Sequence, residues 1–107
     1  MARSLVEVEL LLVPDCPNAQ PAEELLTSAL RAAGLGSTPI RVSVIESQHA
    51  AEHRGFVGSP TILINGCDPF AEPGRPPALA CRVYPGPAGL PPAGQLRAVL
   101  AAAGSTT

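Results

Sequence analysis

The hydrophobic positions of this 107-residue chain follow two different spacings. Near the N-terminus Val6, Val8, Leu10 and Leu12 recur at every second residue, which is typical of a half-buried strand. Further along, leucines and alanines recur at helical spacing, and clusters of Pro, Gly, Asn and Asp separate the segments. The pattern predicts strands at residues 5–13, 40–45, 61–64 and 80–84, and helices at residues 21–33, 47–54 and 93–103.

The order of these elements, β-α-β-α-β-β-α, predicts an α/β domain of three layers around a four-stranded mixed sheet. In this arrangement a crossover-linked parallel pair of strands is followed by a hairpin and a helix. The length fits a single domain over residues 1–107. Residues 66–79 carry four prolines and form a loop that is long for a compact domain, and residues 104–107 form a frayed tail.

Composition excludes two classes of partner. The net charge is −2, with seven basic and nine acidic residues, so no basic patch is available for a nucleic acid. No apolar run approaches the roughly 18 residues that a membrane span requires. Three cysteines are too few for a disulfide scaffold and agree with a reducing compartment, so a cytoplasmic protein is predicted.

Two segments carry candidate chemistry. Residues 10–17 read LLLVPDCP and deliver Cys16 from a strand to a helix N-terminus, and residues 55–66 read GFVGSPTILING. With the element order, these segments resemble the thioredoxin-like family over roughly residues 5–103. The resemblance implies that Pro60 is a cis-proline beside Cys16, and that the backbone of Ser59 is open to an extended substrate. It implies that Cys16 and Pro60 are catalytic residues. It also implies that Pro17, Ser59 and Thr61 bind the substrate.

The chain departs from the family at its dithiol motif, because C-x-x-C here reads Cys16-Pro17-Asn18-Ala19. The second thiol is absent, which excludes a standard dithiol reductase. Backbone N–H groups and the positive dipole end at a helix N-terminus favour a thiolate at Cys16, whereas the neighbouring Asp15 opposes a second negative charge. A mixed disulfide at Cys16 would then be released by an external low-molecular-weight thiol.

The other two cysteines are expected at the far end of the sheet from Cys16. Cys67 lies beyond the far end of the third strand, and five strand residues span about 16 Å, beyond the roughly 7 Å Cα limit for a disulfide with Cys16. Cys81 is expected at the start of an antiparallel fourth strand, also at the far end. Cys67 and Cys81 flank the long loop and are a candidate disulfide, which a reducing cytosol opposes. Unbonded, Cys81 would be a core thiol beside Val83.

Residues 49–53 read HAAEH, an H-x-x-E-H pattern in which two histidines can share one helical face and bind zinc. The helix is short and the third ligand of a zinc protease has no clear source. We therefore predict that His49 and His53 are exposed side chains, and we predict no metal and no cofactor. The arginines are scattered along the chain, so no dedicated anion site is predicted.

The first hypothesis is a cytoplasmic thioredoxin-like monothiol protein, a candidate thiol-disulfide oxidoreductase. Cys16 would exchange disulfides with a low-molecular-weight thiol or a protein partner, or would trap electrophiles. A second hypothesis is a non-catalytic binding module that keeps the scaffold without the redox couple. A third is capture of a soft metal, such as mercury or an organomercurial, by Cys16 and another thiolate, including across a homodimer.

Overall fold

The structure is a computed structural model that describes residues 6–105. Its elements are β1 (Val8–Leu12), α1 (Ala19–Ala32), β2 (Ile40–Val44), α2 (Gln48–Arg54), β3 (Thr61–Ile64) and α3 (Ala93–Ser105), with a 3-10 turn at Pro87–Gly89. The three predicted helices and the first three predicted strands are confirmed, although α3 extends through two residues of the predicted tail. Residue 5 of the predicted first strand and residues 106–107 of the tail lie outside the described residues. None of the described helices has the length and apolarity to cross a membrane.

β1 is the central strand of the sheet, whose order within residues 6–105 is β2-β1-β3. It runs parallel to β2 and antiparallel to β3, with Leu10 opposite both Val42 and Ile62. The parallel pair needs a crossover connection, which α1 supplies. Because β3 runs against β1, the last residue of β1 and the first residue of β3 lie at the same end of the sheet. Cys16 follows β1 along the chain, and Pro60 immediately precedes β3.

Helices cover both faces of the sheet and bury a separate apolar cluster on each. The cluster under α1 and α3 contains Val6, Val8, Leu10 and Leu12. These are the alternating positions predicted for the first strand, so the predicted alternation is confirmed. The cluster under α2 consists of Leu11, Ile45, Ala51 and Phe56. Full burial of a side chain such as Phe56 stabilises the fold by about 1.5–3 kcal/mol. The three predicted layers are therefore present.

A polar cluster attaches α2 to the sheet. Glu9 on β1 accepts hydrogen bonds from Ser43 Oγ (2.6 Å) and Arg54 Nη2 (2.7 Å). Ser47 caps the start of α2, and Gly55 ends it in the left-handed conformation (φ 64°). Burial by itself would raise the pKa of Glu9, but the hydrogen bonds from Ser43 and Arg54 outweigh it and lower that pKa below its ordinary value. Ionised Glu9 therefore stabilises the docking of α2.

The prediction of a fourth strand at residues 80–84 is wrong, and the sheet described within residues 6–105 has three strands rather than four. This segment pairs with the sheet backbone through an isolated parallel bridge, between Cys81 and Ser59, before β3 begins. At its other end β3 turns back on itself, since Ile64 and Cys67 exchange two backbone hydrogen bonds (2.8 and 3.1 Å). The predicted hairpin is therefore replaced by a long connection that returns to the start of β3.

Candidate thiol site

Cys16 lies in the turn that joins the central strand β1 to α1. Pro14 and Pro17 lie in this turn, and Asp15 between them has a left-handed backbone (φ 57°). The Cys16 carbonyl accepts a hydrogen bond from the Ala19 N–H (3.1 Å). The thiol is free, partly exposed, and packed against the apolar cluster under α1 and α3. Its position is therefore fixed by the turn while solvent can still reach it.

The N-terminus of α1 presents fewer donors to Cys16 than the sequence suggests. The helix begins at Ala19, and its N-cap is Asn18, whose side chain makes no capping hydrogen bond. Cys16 therefore precedes the cap by two residues. The Ala19 N–H is engaged by the Cys16 carbonyl, and Pro21 has no N–H. Gln20 is then the first-turn residue whose N–H can still face an anion at this end.

Residues 59–61 lie beside this turn. The Ser59–Pro60 peptide bond is cis, and the Val13 N–H donates to Ser59 Oγ (3.1 Å). This hydrogen bond joins the start of β3 to the chain three residues before Cys16. Ser59, Pro60 and Thr61 are buried. The structure thus brings the predicted site residues to one end of the sheet: Cys16, Pro17, Ser59, Pro60 and Thr61.

The backbone of Ser59 is already paired within the chain, where the resemblance implies that it is open to a substrate. Its N–H donates to the Ala80 carbonyl (2.7 Å), and its carbonyl accepts from the Arg82 N–H (2.8 Å). Cys81 is therefore directly opposite Ser59. We call residues 80–84 the strap. An extended substrate would have to displace the strap before it could pair with Ser59.

Arg82, which the sequence treats as one of several scattered arginines, holds the strap in place. Its side chain is 2% exposed, and Nη1 lies 2.6 Å from Oδ2 of Asp68. Nη2 donates to the Phe70 carbonyl (2.5 Å). Ionic hydrogen bonds of this kind are about twice as strong as neutral ones. The strap is thereby fixed to the first residues of the long loop.

Tyr84 attaches the strap to the cis-proline. Its hydroxyl donates to the Pro60 carbonyl (2.6 Å), and its ring packs edge-on against Phe70 (5.6 Å between centroids). The Arg82 guanidinium carbon lies 4.4 Å from the Tyr84 ring centroid, a cation–π contact. Burial raises the pKa of the Tyr84 hydroxyl far above its ordinary value, more than the positive charge of Arg82 lowers it. The hydroxyl therefore stays protonated and remains a donor.

The strap also corrects the expected positions of the cysteines. Cys67 and Cys81, the candidate disulfide, are both free and exposed. They lie at opposite ends of β3, because Cys67 bridges to Ile64 and Cys81 bridges to Ser59. The placement of Cys81 at the far end of the sheet is therefore wrong: it lies at the end that carries Cys16.

The two histidines of the H-x-x-E-H pattern lie on the surface. His49 and His53 are both exposed on α2. In the part of the chain that the structure describes, no three His, Cys, Asp or Glu side chains are grouped as metal ligands would be.

Comparison of the chain with protein-family models, with curated proteins and with solved structures gives no match. The function is therefore argued from the geometry of the thiol site itself.

Proposed function

We propose that this chain is a thioredoxin-like monothiol protein that carries out thiol-disulfide exchange, or traps electrophiles, through Cys16. The observation that carries the proposal is the position of this free, partly exposed thiol in the turn between the central strand and α1. A hydrogen bond from Val13 to Ser59 ties that turn to the cis Ser59–Pro60 bond. The order β2-β1-β3 and the helices on both faces support the same resemblance.

In this proposal the Cys16 thiolate attacks one sulfur of a disulfide, forms a mixed disulfide and releases the other sulfur as a thiolate. Ala19 stands where a dithiol enzyme carries its second cysteine. An external low-molecular-weight thiol would therefore attack the mixed disulfide and regenerate Cys16. The substrate is a low-molecular-weight or protein disulfide. We also propose a cytoplasmic location, since such thiols are kept reduced there.

The proposal is tested by alkylation of the reduced chain at about pH 7, with the three cysteines distinguished by peptide mapping. Cys67 and Cys81 are internal controls, because both are more exposed than Cys16 and neither lies near a helix N-terminus. We expect Cys16 to react fastest despite its lower exposure. The same sample with glutathione disulfide should form a disulfide at Cys16, whichever thiol is its partner, that added thiol removes. If Cys16 reacts more slowly than both controls and forms no disulfide at all, the proposal is wrong.

One observation favours the second candidate, a non-catalytic binding module. The strap occupies both backbone groups of Ser59 that an extended substrate would use. In that case the strap keeps the backbone of Ser59 permanently paired, and Cys16 is an inert packing residue. Uniformly slow alkylation of Cys16 would support this candidate over thiol exchange.

A further inference from the structure

The strap brings a second thiol to the end of the sheet where Cys16 lies. Cys81 is paired directly with Ser59, and partners in a β-bridge have Cα atoms about 5 Å apart. Ser59 in turn accepts a hydrogen bond from Val13, at the base of the turn that carries Cys16. Cys81 and the base of the turn that carries Cys16 are thus both bonded to Ser59.

Cys67 provides the contrast. It bridges to Ile64, five residues along from Ser59, which in a strand corresponds to about 16 Å. A disulfide needs Cα atoms within about 7 Å of each other. Cys67 is therefore excluded as a partner of Cys16 unless the sheet rearranges, whereas Cys81 is carried by a segment outside the strands.

The strap is tethered at the end of the sheet where the turn lies. Two backbone hydrogen bonds to Ser59 attach it to the sheet around Cys81, and the side chain of Cys81 is exposed. On either side it is anchored, since Ala78 donates to the Phe56 carbonyl (3.0 Å) and Tyr84 donates to the Pro60 carbonyl (2.6 Å). Such tethering makes a reaction between Cys81 and Cys16 intramolecular, with a high effective concentration of the Cys81 thiol.

We infer that Cys81 is the resolving thiol of Cys16 and supplies from the strap the group that the Cys16–Ala19 motif lacks. The inference rests on the proposed function and replaces its external resolving thiol by an internal one. Cys16 thiolate first attacks a low-molecular-weight disulfide, so that the Cys16–substrate bond forms and one substrate thiolate leaves. Cys81, having lost its proton to solvent, then attacks Cys16 Sγ. The Cys16–Cys81 bond forms and the second substrate thiolate leaves.

Electrons balance across these two steps. The two protein thiols are oxidised to one disulfide, the substrate disulfide is reduced to two thiols, and the two protons released by the protein are taken up by the departing thiolates. A low-molecular-weight dithiol, or two monothiols, must then reduce the Cys16–Cys81 bond to return the protein to its starting state. The cycle thus converts an apparent monothiol site into a two-thiol site whose members are 65 positions apart.

The experiment treats the full chain with glutathione disulfide, stops the reaction by acid, and maps disulfides in non-reduced peptides. We expect a peptide linked through Cys16 and Cys81 in the wild type. In Cys81→Ala the glutathione mixed disulfide should accumulate on Cys16, about tenfold above the wild type, because the internal thiol no longer competes for it. Cys67→Ala is the matched control and should behave as the wild type.

The outcomes separate the two proposals. If Cys16 carries equal amounts of glutathione in the wild type and in Cys81→Ala, with no linked peptide, the resolving role of Cys81 is refuted while monothiol exchange stands. If Cys16 acquires no glutathione in Cys81→Ala and no linked peptide forms in the wild type, thiol exchange itself is refuted. Circular dichroism of each variant checks the fold, and since Cys81 is exposed we expect no change there.

Discussion

Replacement of Arg82 by methionine tests what holds the strap. Methionine keeps an unbranched apolar side chain but removes the guanidinium. Asp68 is only 15% exposed, so its carboxylate would be left largely buried without its cation. The Phe70 carbonyl would also lose its donor. Removal of one partner of a buried ion pair typically costs about 3–5 kcal/mol, and we expect Arg82→Met to lower the free energy of unfolding by that amount.

The same loop contains a matched control. Arg75 and Glu72 also form an ion pair, but their side chains are 41% and 62% exposed. Exposed pairs contribute about 0–1 kcal/mol, because water solvates both charges and ordering two long side chains costs entropy. Arg75→Met should therefore leave the free energy of unfolding almost unchanged. The difference between the two variants isolates the effect of burial.

Two optical probes follow the two parts of the molecule in urea. Circular dichroism reports the helices, and the fluorescence of Tyr84, the single tyrosine in a chain without tryptophan, reports the strap. In Arg82→Met we expect Tyr84 to become exposed at a lower urea concentration than the helices unfold. In alkaline titration the pKa of Tyr84 should then fall towards its ordinary value of 10.0. If the strap stayed docked, loss of the neighbouring positive charge would raise that pKa instead.

The reasoning is refuted if Arg82→Met costs no more than Arg75→Met and Tyr84 keeps its raised pKa. That result would mean that backbone pairing at Ser59 and the Tyr84 hydroxyl suffice to hold the strap.

Two further predictions concern other contacts. Because the pKa of Glu9 is lowered by folding, its ionised form stabilises the protein above the unfolded-state pKa, and this contribution is lost as the pH falls through the folded-state pKa. Urea unfolding should therefore show Glu9→Gln less stable than the wild type at neutral pH, with the gap closing below about pH 4. At Gly58 (φ 147°) an added Cβ would lie 2.8 Å from the Arg82 Cβ, whereas at Gly55 (φ 64°) it would meet nothing within 4 Å. Thermal or urea unfolding should show Gly58→Ala losing about 2–4 kcal/mol and Gly55→Ala about 1–2 kcal/mol, and equal losses would contradict the steric argument.

The regular elements were predictable because each has a periodic apolar side that only one kind of backbone can bury. Val8, Leu10 and Leu12 form one face of a strand whatever the tertiary partners are, and all three are buried. The cap at Ser47 and the left-handed residue at Gly55 are local signals and needed no knowledge of the fold. The same holds for the turn that carries Cys16, where prolines interrupt the chain on both sides.

The strap could not be predicted, because its burial is opposite to what hydrophobicity suggests. Val83 is 77% exposed, whereas Arg82 is buried. Burial of the arginine depends on Asp68, 14 residues earlier, and that pairing leaves no periodic signal in the sequence. The available hint was that Arg82 alternates with Ala80 and Tyr84 along the predicted strand. An arginine on the buried side of a strand requires an anion nearby. The position of Cys81 was missed for the same reason.

The loop before the strap has a consequence for engineering the protein. Residues 71–76 are exposed, and the chain is anchored on both sides of them, at the Phe70 carbonyl and at the Ala78 N–H. Doubling the length of a flexible loop costs only about 0.6 kcal/mol. A reporter peptide or a protease cleavage sequence inserted there would leave both anchors in place. The inserted segment would then give an optical or proteolytic signal from a chain whose candidate thiol site is unaltered.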